Sequence, residues 1–159
     1  MAAKWPKVAQ SGDRYTVFTG EYRHTIDAKG RIAVPARFRS DLAGVCYVCN
    51  WLDGCLAIFP REAWEQLVGQ VGTLGKVGDA TARNFARFLF SGAYEAQLDS
   101  QGRLLLPPNL REGVGLAADA VVVGLSDRVE IWPPDRWTSY RAGMADPDEF
   151  AARLAGLAI

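Results

Sequence analysis

Two short phrases carry the side chains best suited to chemistry: DAKGR at residues 27–31 and DSQGR at residues 99–103. Each sets an aspartate four positions ahead of an arginine, across a turn that glycine can close by taking a positive φ. The first tip carries Lys29 and Arg31, the second Gln101 and Arg103. An arginine at such a tip offers a planar fork that matches the O6 and N7 of guanine, and a lysine beside it acts as a point charge on phosphate. A two-stranded ribbon is narrow enough to enter a major groove. The plainer alternative is that Asp and Arg pair with each other only to hold the hairpin. Charge distinguishes the two tips. From Glu21 to Arg39 there are five Lys/Arg against two acids, and from Ala93 to Arg111 two against two, so the first tip is the better phosphate-facing surface. On that ground Asp99 and Arg103 read first as a hairpin-holding pair, with Arg103 kept as a candidate DNA contact. Asp27, Gly30, Asp99 and Gly102 read as turn formers. Arg23 and Arg37 read as surface charges within reach of phosphate. Arg39 and Arg111 recur at the same position, which suits packing or oligomer contacts at least as well.

Other chemistry finds little support. Cys46-x-x-Cys49 with Cys55 invites a zinc reading, but a structural zinc needs a full tetrahedral set of ligands and the single histidine, His24, stands in another strand. The cysteines read instead as small buried apolar residues. His24 sits on an exposed-looking strand with no partnered nucleophile, and no phosphate-cradling G-x-x-x-x-G-K-[ST] phrase is present. No catalytic residue, metal or cofactor is expected.

The elements that must position the two tips come in duplicate. Phe18, Gly20, Tyr22, Asp27, Gly30, Arg31, Pro35 and Arg39 recur in register as Phe90, Gly92, Tyr94, Asp99, Gly102, Arg103, Pro107 and Arg111. After one extra residue in the second copy, Ile58, Pro60 and Trp64 recur as Ile131, Pro133 and Trp137. Two copies are too few for an open solenoid, which needs about three or more stacked units. The halves are therefore expected to pack as one pseudo-symmetric domain. Each copy reads as a strand, the Asp-x-x-Gly turn and a second strand with period-two alternation. Pro35 then opens a short helix through about Asp41, and Gly44 stops it. Two further strands follow (VCYVCN and CLAIF around LDG; AVVVG and VEIW around SDR), and then a helix opened by proline.

Between the copies, Asp79 caps a helix over ATARNFARFLF, and Gly69, Gly72, Gly75 and Gly78 predict a flexible stretch before it. Asp146-Pro147 starts a last helix, and Trp64 and Trp137 read as core anchors. The expected organisation is a flexible N-terminal extension (1–17), repeat one (21–63), connecting helices (64–92), repeat two (93–136) and C-terminal helices (137–159).

With 159 residues, about half of them hydrophobic, and no net charge, the chain is no simple polycation. No stretch approaches the apolar length of a membrane span, and an odd count of three cysteines fits reduced thiols in a cytosol.

The doubled D-x-x-G-R hairpin resembles the AbrB-type swapped-hairpin domain. The tandem arrangement, with FTGEYRHTIDAKGRIAVPARFR, LDGCLAIFPREAW, FARFLFSGAYEAQLDSQGRLLLPPNLRE and VVVGLSDRVEIW in order, resembles the MraZ family over roughly residues 18–158. That resemblance implies an α+β, β-rich fold in which two pseudo-symmetric swapped-hairpin repeats form one barrel-like unit with accessory helices. It implies a cytoplasmic, nucleoid-associated regulator of transcription, a repressor acting among other targets on its own division and cell-wall operon. Its partners would be double-stranded promoter DNA, read at G-rich direct repeats, and copies of itself in a ring. Under that resemblance Arg31 reads as a base-contacting residue. The rival from the same fold is an oligomeric protein-interaction module or toxin antidote. The family phrase M-F-x-G-E-Y is met here by Val17-Phe18-Thr19-Gly20, which leaves the first sixteen residues as an extension or a misplaced start.

Overall fold

The computed structural model describes residues 17–144 and 146–157. Apart from Val17, the extension expected over residues 1–17 lies outside them. Among the described residues eight strands form: β1 Glu21–Thr25, β2 Arg31–Ala33, β3 Val45–Asn50, β4 Leu56–Pro60, β5 Tyr94–Gln97, β6 Arg103–Leu105, β7 Asp119–Leu125 and β8 Arg128–Trp132. Within the same described residues five α-helices accompany them: α1 Arg61–Val77, α2 Ala80–Ser91, α3 Pro108–Val114, α4 Pro134–Gly143 and α5 Pro147–Leu154. None of the helices among the described residues is long and apolar enough to cross a membrane.

The two halves exchange strands. β1 of the first half pairs with β7 of the second, with His24 opposite Ala120, and β5 of the second pairs with β3 of the first, with Ala96 opposite Cys46. Two other pairings run through residues that are counterparts of each other. Ala57 faces Glu130 where β4 meets β8, and Ile32 faces Leu104 where β2 meets β6. A pseudo-twofold relation between the repeats follows directly from these registers.

The barrel expected from the resemblance does not close. Six strands form one antiparallel sheet in the order β1-β7-β8-β4-β3-β5, and β2 with β6 forms a separate two-stranded ribbon. Three residues per strand is all the ribbon has, because the turn residues precede each strand and a proline without an N–H, Pro35 or Pro107, follows shortly after. The ribbon joins the large sheet at both tips, through the bridge of Ile26 to Ile32 with Asp27 N donating to Arg31 O at 2.9 Å, and through Asp99 N donating to Arg103 O at 2.9 Å.

Alternation decides which side of the ribbon is wet. Ile32 and Leu104 are buried, while Arg31, Ala33, Arg103 and Leu105 share the opposite face. Below the ribbon lies the main core, where Val34, Phe38 and Leu42 meet their counterparts Leu106, Leu110 and Val114, with Ile58 and Ile131 beneath. A second cluster, built on Trp64, Phe59 and Leu89, packs α1 and α2 on the sheet, and a third gathers Trp132 and Trp137 under α4.

Several local expectations hold. The Asp79 side chain caps α2 by accepting from Ala82 N, and Asp146 caps α5 by accepting from Asp148 N and Glu149 N. Two differ. The short helix expected from Pro35 to Asp41 is a 3-10 turn over Ala36–Phe38 followed by further turns, whereas its counterpart α3 makes two α-turns. The glycine stretch is not a linker. Gly69, Gly72 and Gly75 lie inside α1, and Gly78 ends it. Helix propensity lost to glycine is about 1 kcal/mol per residue, and the apolar face of Trp64, Leu67 and Val71 on the sheet outweighs it. At Gly75 the absent side chain is used: a Cβ there would lie 2.8 Å from Ala86 Cβ of α2.

Candidate nucleic-acid interface

The two hairpin tips are built alike. At the first, Asp27 Oδ1 accepts from the amides of Lys29 (3.0 Å) and Arg31 (2.9 Å), and Arg31 Nε donates to Asp27 Oδ2 at 2.7 Å. At the second, Asp99 Oδ1 accepts from Gln101 N and Arg103 N, both at 2.9 Å, and Arg103 Nε donates to Asp99 Oδ2 at 2.8 Å. Gly30 and Gly102 close the turns with φ of +84° and +74°, each donating its amide to the aspartate carbonyl. The Arg31 amide bonded to Asp27, with its guanidinium and the Lys29 amide, holds that carboxyl below the usual range against the opposing effect of burial. Asp99 is lowered by its matching set, the Arg103 amide first.

The Asp–Arg pairing expected of the second tip alone is thus present at both. Each pair engages the arginine through Nε, the edge that a bidentate contact to guanine through the two Nη atoms would leave aside. What differs between the tips is the pair of exposed residues at the turn, Ala28 and Lys29 in one and Ser100 and Gln101 in the other, and only Lys29 among them is charged.

The structure brings Arg31 and Arg103 onto one surface. Across the ribbon Arg31 is opposite Leu105 and Arg103 opposite Ala33, so the arginines stand on a diagonal of the outer face. Leu105, 45% exposed, lies between the charges as an apolar patch. Arg23 and Arg37 are elsewhere. Arg23 is exposed on β1, lining a groove with Trp137 and Arg141 of α4; Arg37 follows β2 and donates Nη1 to Tyr22 Oη at 3.0 Å.

His24, expected to be exposed, is partly buried. That burial, and then the charge of Arg39, lowers its pKa. Cys46, Cys49 and Cys55 are free and buried, and burial pushes the Cys46 thiol up to about 11 and Cys49 to about 12. Thiols so protonated are poor ligands and nucleophiles. No group of three or more His, Cys, Asp or Glu among the described residues is placed to hold a metal ion.

Arg39 and Arg111 have a definite place. Arg39 Nε donates to Val34 O at 3.0 Å, and Arg111 Nε donates to Leu106 O at 2.9 Å. Their guanidinium groups lie against the opposite repeat's turn glycines. A Cβ on Gly30 would fall 2.8 Å from Arg111 Nη2, and one on Gly102 would fall 2.6 Å from Arg39 Cζ. The only hint of this in the sequence was that both arginines, like both glycines, recur.

Two stretches of the chain, residues 17–87 and 89–155, match the model of the MraZ protein family, whose description likens it to antitoxins. The transcriptional regulator MraZ of Roseiflexus castenholzii is 47% identical over 142 residues, covering 89% of this chain and 99% of its own length. That of Moorella thermoacetica is 47% identical over 136 residues, 86% of this chain and 94% of its own, and that of Clostridium beijerinckii is 42% identical over 143 residues, 90% and 100%. The doubled family match falls on the same two strand-exchanging halves that carry the aspartate-anchored arginines. With this repeat structure and this identity over nearly the whole length of curated relatives, the chain belongs to the MraZ family, and the relatives it matches are named as transcriptional regulators.

Proposed function

We propose that this chain is a DNA-binding transcriptional regulator that reads guanine in the major groove with the outer face of the β2–β6 ribbon. The observation that carries the reading is the pair of aspartate-anchored arginines, Arg31 and Arg103, standing together on the one exposed face of a ribbon narrow enough for the groove. Arg31 takes a base edge, Lys29 a neighbouring phosphate, and Arg103 joins Arg31 on the same face. Asp27 and Asp99 fix the arginines before DNA arrives, so less side-chain freedom is lost on binding. Arg23 and Arg37 contribute phosphate contacts outside the ribbon.

The relatives' name supports regulation of transcription, and the resemblance implies the rest of the reading: repression, with the protein's own division and cell-wall operon among its targets, at G-rich direct repeats in the promoter, by a ring of identical subunits in the nucleoid. A chain with no net charge and one small cationic ribbon binds weakly at physiological salt by itself. Several identical ribbons held in one assembly engage several repeats, and linked contacts raise avidity without new chemistry.

A promoter gel shift with Arg31→Ala tests the reading. Loss of a good bidentate Arg–guanine contact costs ~1–3 kcal/mol of base discrimination. The variant should lose the specific shift while eluting in size exclusion as the wild type does. An unchanged specific shift removes Arg31 from the interface. If the chain instead co-purifies stoichiometrically with a toxin and shows no sequence-selective binding, the antidote reading takes its place.

A further inference from the structure

Each hairpin tip is braced by the other half of the molecule. Three contacts close a loop around Gly30: Arg111 Nε donates to Leu106 O, Leu106 N donates to Gly30 O at 2.9 Å, and the Arg111 guanidinium lies against the bare face of Gly30. The mirror loop joins Arg39, Val34 and Gly102, with Val34 N donating to Gly102 O at 2.9 Å. Both glycines take a positive φ, and any side chain there would run into the opposing guanidinium. A glycine fits both demands at once.

Resting on the DNA-binding reading above, we infer that Arg111 and Arg39 are crossed positioning residues: Arg111 of the second repeat holds the Asp27–Arg31 tip, and Arg39 of the first holds the Asp99–Arg103 tip. They set the angle at which the base-reading arginines leave the ribbon and do not themselves touch DNA. A planar guanidinium suits this task. It stacks flat on a glycine face while its Nε satisfies a strand-end carbonyl, whereas a lysine ammonium is a compact point charge with no such face. The consequence is reciprocity between repeats. Neither tip is rigid unless the other half is folded against it, so a single repeat would be a poor reader even with its own arginine intact.

Amide hydrogen exchange on the full chain, followed residue by residue by NMR, tests the crossing. Arg111→Gln should speed exchange of the Lys29, Gly30 and Arg31 amides by about fivefold to tenfold, the size of one ordinary hydrogen bond, and leave Gln101, Gly102 and Arg103 unchanged. Arg39→Gln should do the reverse. Arg111→Lys keeps the charge but not the plane and should behave as the glutamine variant does. Acceleration confined to each arginine's own repeat, equal acceleration at both tips, no acceleration, or full rescue by lysine would each overturn the inference.

Promoter affinity supplies the second arm. Arg111→Gln should weaken specific binding roughly threefold to tenfold in the wild-type background and have no further effect on specificity in an Arg31→Ala background. The same loss in both backgrounds means Arg111 meets DNA directly and the inference fails. If Arg31→Ala leaves promoter binding intact, the DNA reading fails, while the exchange result still decides whether the brace exists.

Discussion

An aspartate that accepts two amides and one guanidinium is worth most when it is ionised. Asp27 and Asp99 both have carboxyl pKa values below the ordinary 3.8, with the amide of the arginine four residues on as the first cause. A carboxylate lowered in the folded state stabilises the protein fully above its unfolded pKa and loses that contribution as pH falls through the folded one. Asn at both positions keeps the oxygen acceptor and removes the charge. The Asp27→Asn/Asp99→Asn protein should therefore be less stable than wild type at pH 7, and the gap should hold down to about pH 5 and then narrow as the wild-type carboxylates become protonated. Denaturant midpoints measured from pH 7 to pH 2 check this. A gap that is constant across the range would mean the charge is irrelevant to the turn. His24 acts in the same direction at milder pH. Burial and Arg39 lower its pKa, so the unfolded chain takes up a proton first, and stability falls as pH drops through the ordinary histidine value of 6.5. Among the arginines, the sequence showed which were candidates but not how they were employed. The spacing of Asp27 and Arg31 allowed a base reader or a hairpin clasp, and the geometry shows that the clasp operates through Nε at both tips.

Secondary structure was legible wherever local rules and tertiary packing agree. Period-two alternation located β1 and β2 and the repeat carried them to β5 and β6, turn phrases bracketed β3, β4, β7 and β8, and the caps at Asp79 and Asp146 located the starts of α2 and α5. Where they disagree, packing prevailed. A run of glycines at three-residue spacing reads as a linker, yet α1 continues through it because its apolar face is buried on the sheet. The helix-internal glycines are not equivalent. Nothing lies within 4 Å of a Cβ at Gly69 or Gly72, so alanine there should stabilise the protein by roughly 0.5–1 kcal/mol. Gly75 faces Ala86 of the neighbouring helix, and alanine there should yield no gain or a loss. Equilibrium urea unfolding of the three single variants separates these outcomes. If all three glycines respond alike, close approach of α1 and α2 is not what Gly75 provides. The open sheet was not legible either, since closure depends on whether three-residue strands find partners on both sides, a matter of register that no single-strand pattern encodes. The Arg39 and Arg111 braces were hidden for a similar reason: each spans two repeats, and only the recurrence of Arg with Gly betrayed them.

The molecule as a whole carries no net charge, and its ribbon sets Arg31 and Arg103, each paired to an aspartate, beside Lys29. Strand exchange between the halves, β1 onto β7 and β5 onto β3, places both arginine-bearing tips on a single ribbon and leaves neither repeat complete alone. Recognition in this account is therefore local in chemistry and collective in strength. Deleting promoter repeats one at a time should weaken binding in steps, each loss larger than statistical dilution, while the salt dependence falls with each contact removed. Equal affinity for one repeat and for several, measured by titration at fixed salt, would leave the zero net charge unreconciled with tight binding. The most direct measurement is methylation protection at guanine N7 on the native promoter, wild type beside Arg31→Ala. Guanines of the repeats should be shielded by the wild type and become reactive again with the variant at protein concentrations that still occupy the DNA. The same shielding by both proteins, or none by the wild type at saturation, would contradict a ribbon that reads guanine through Arg31.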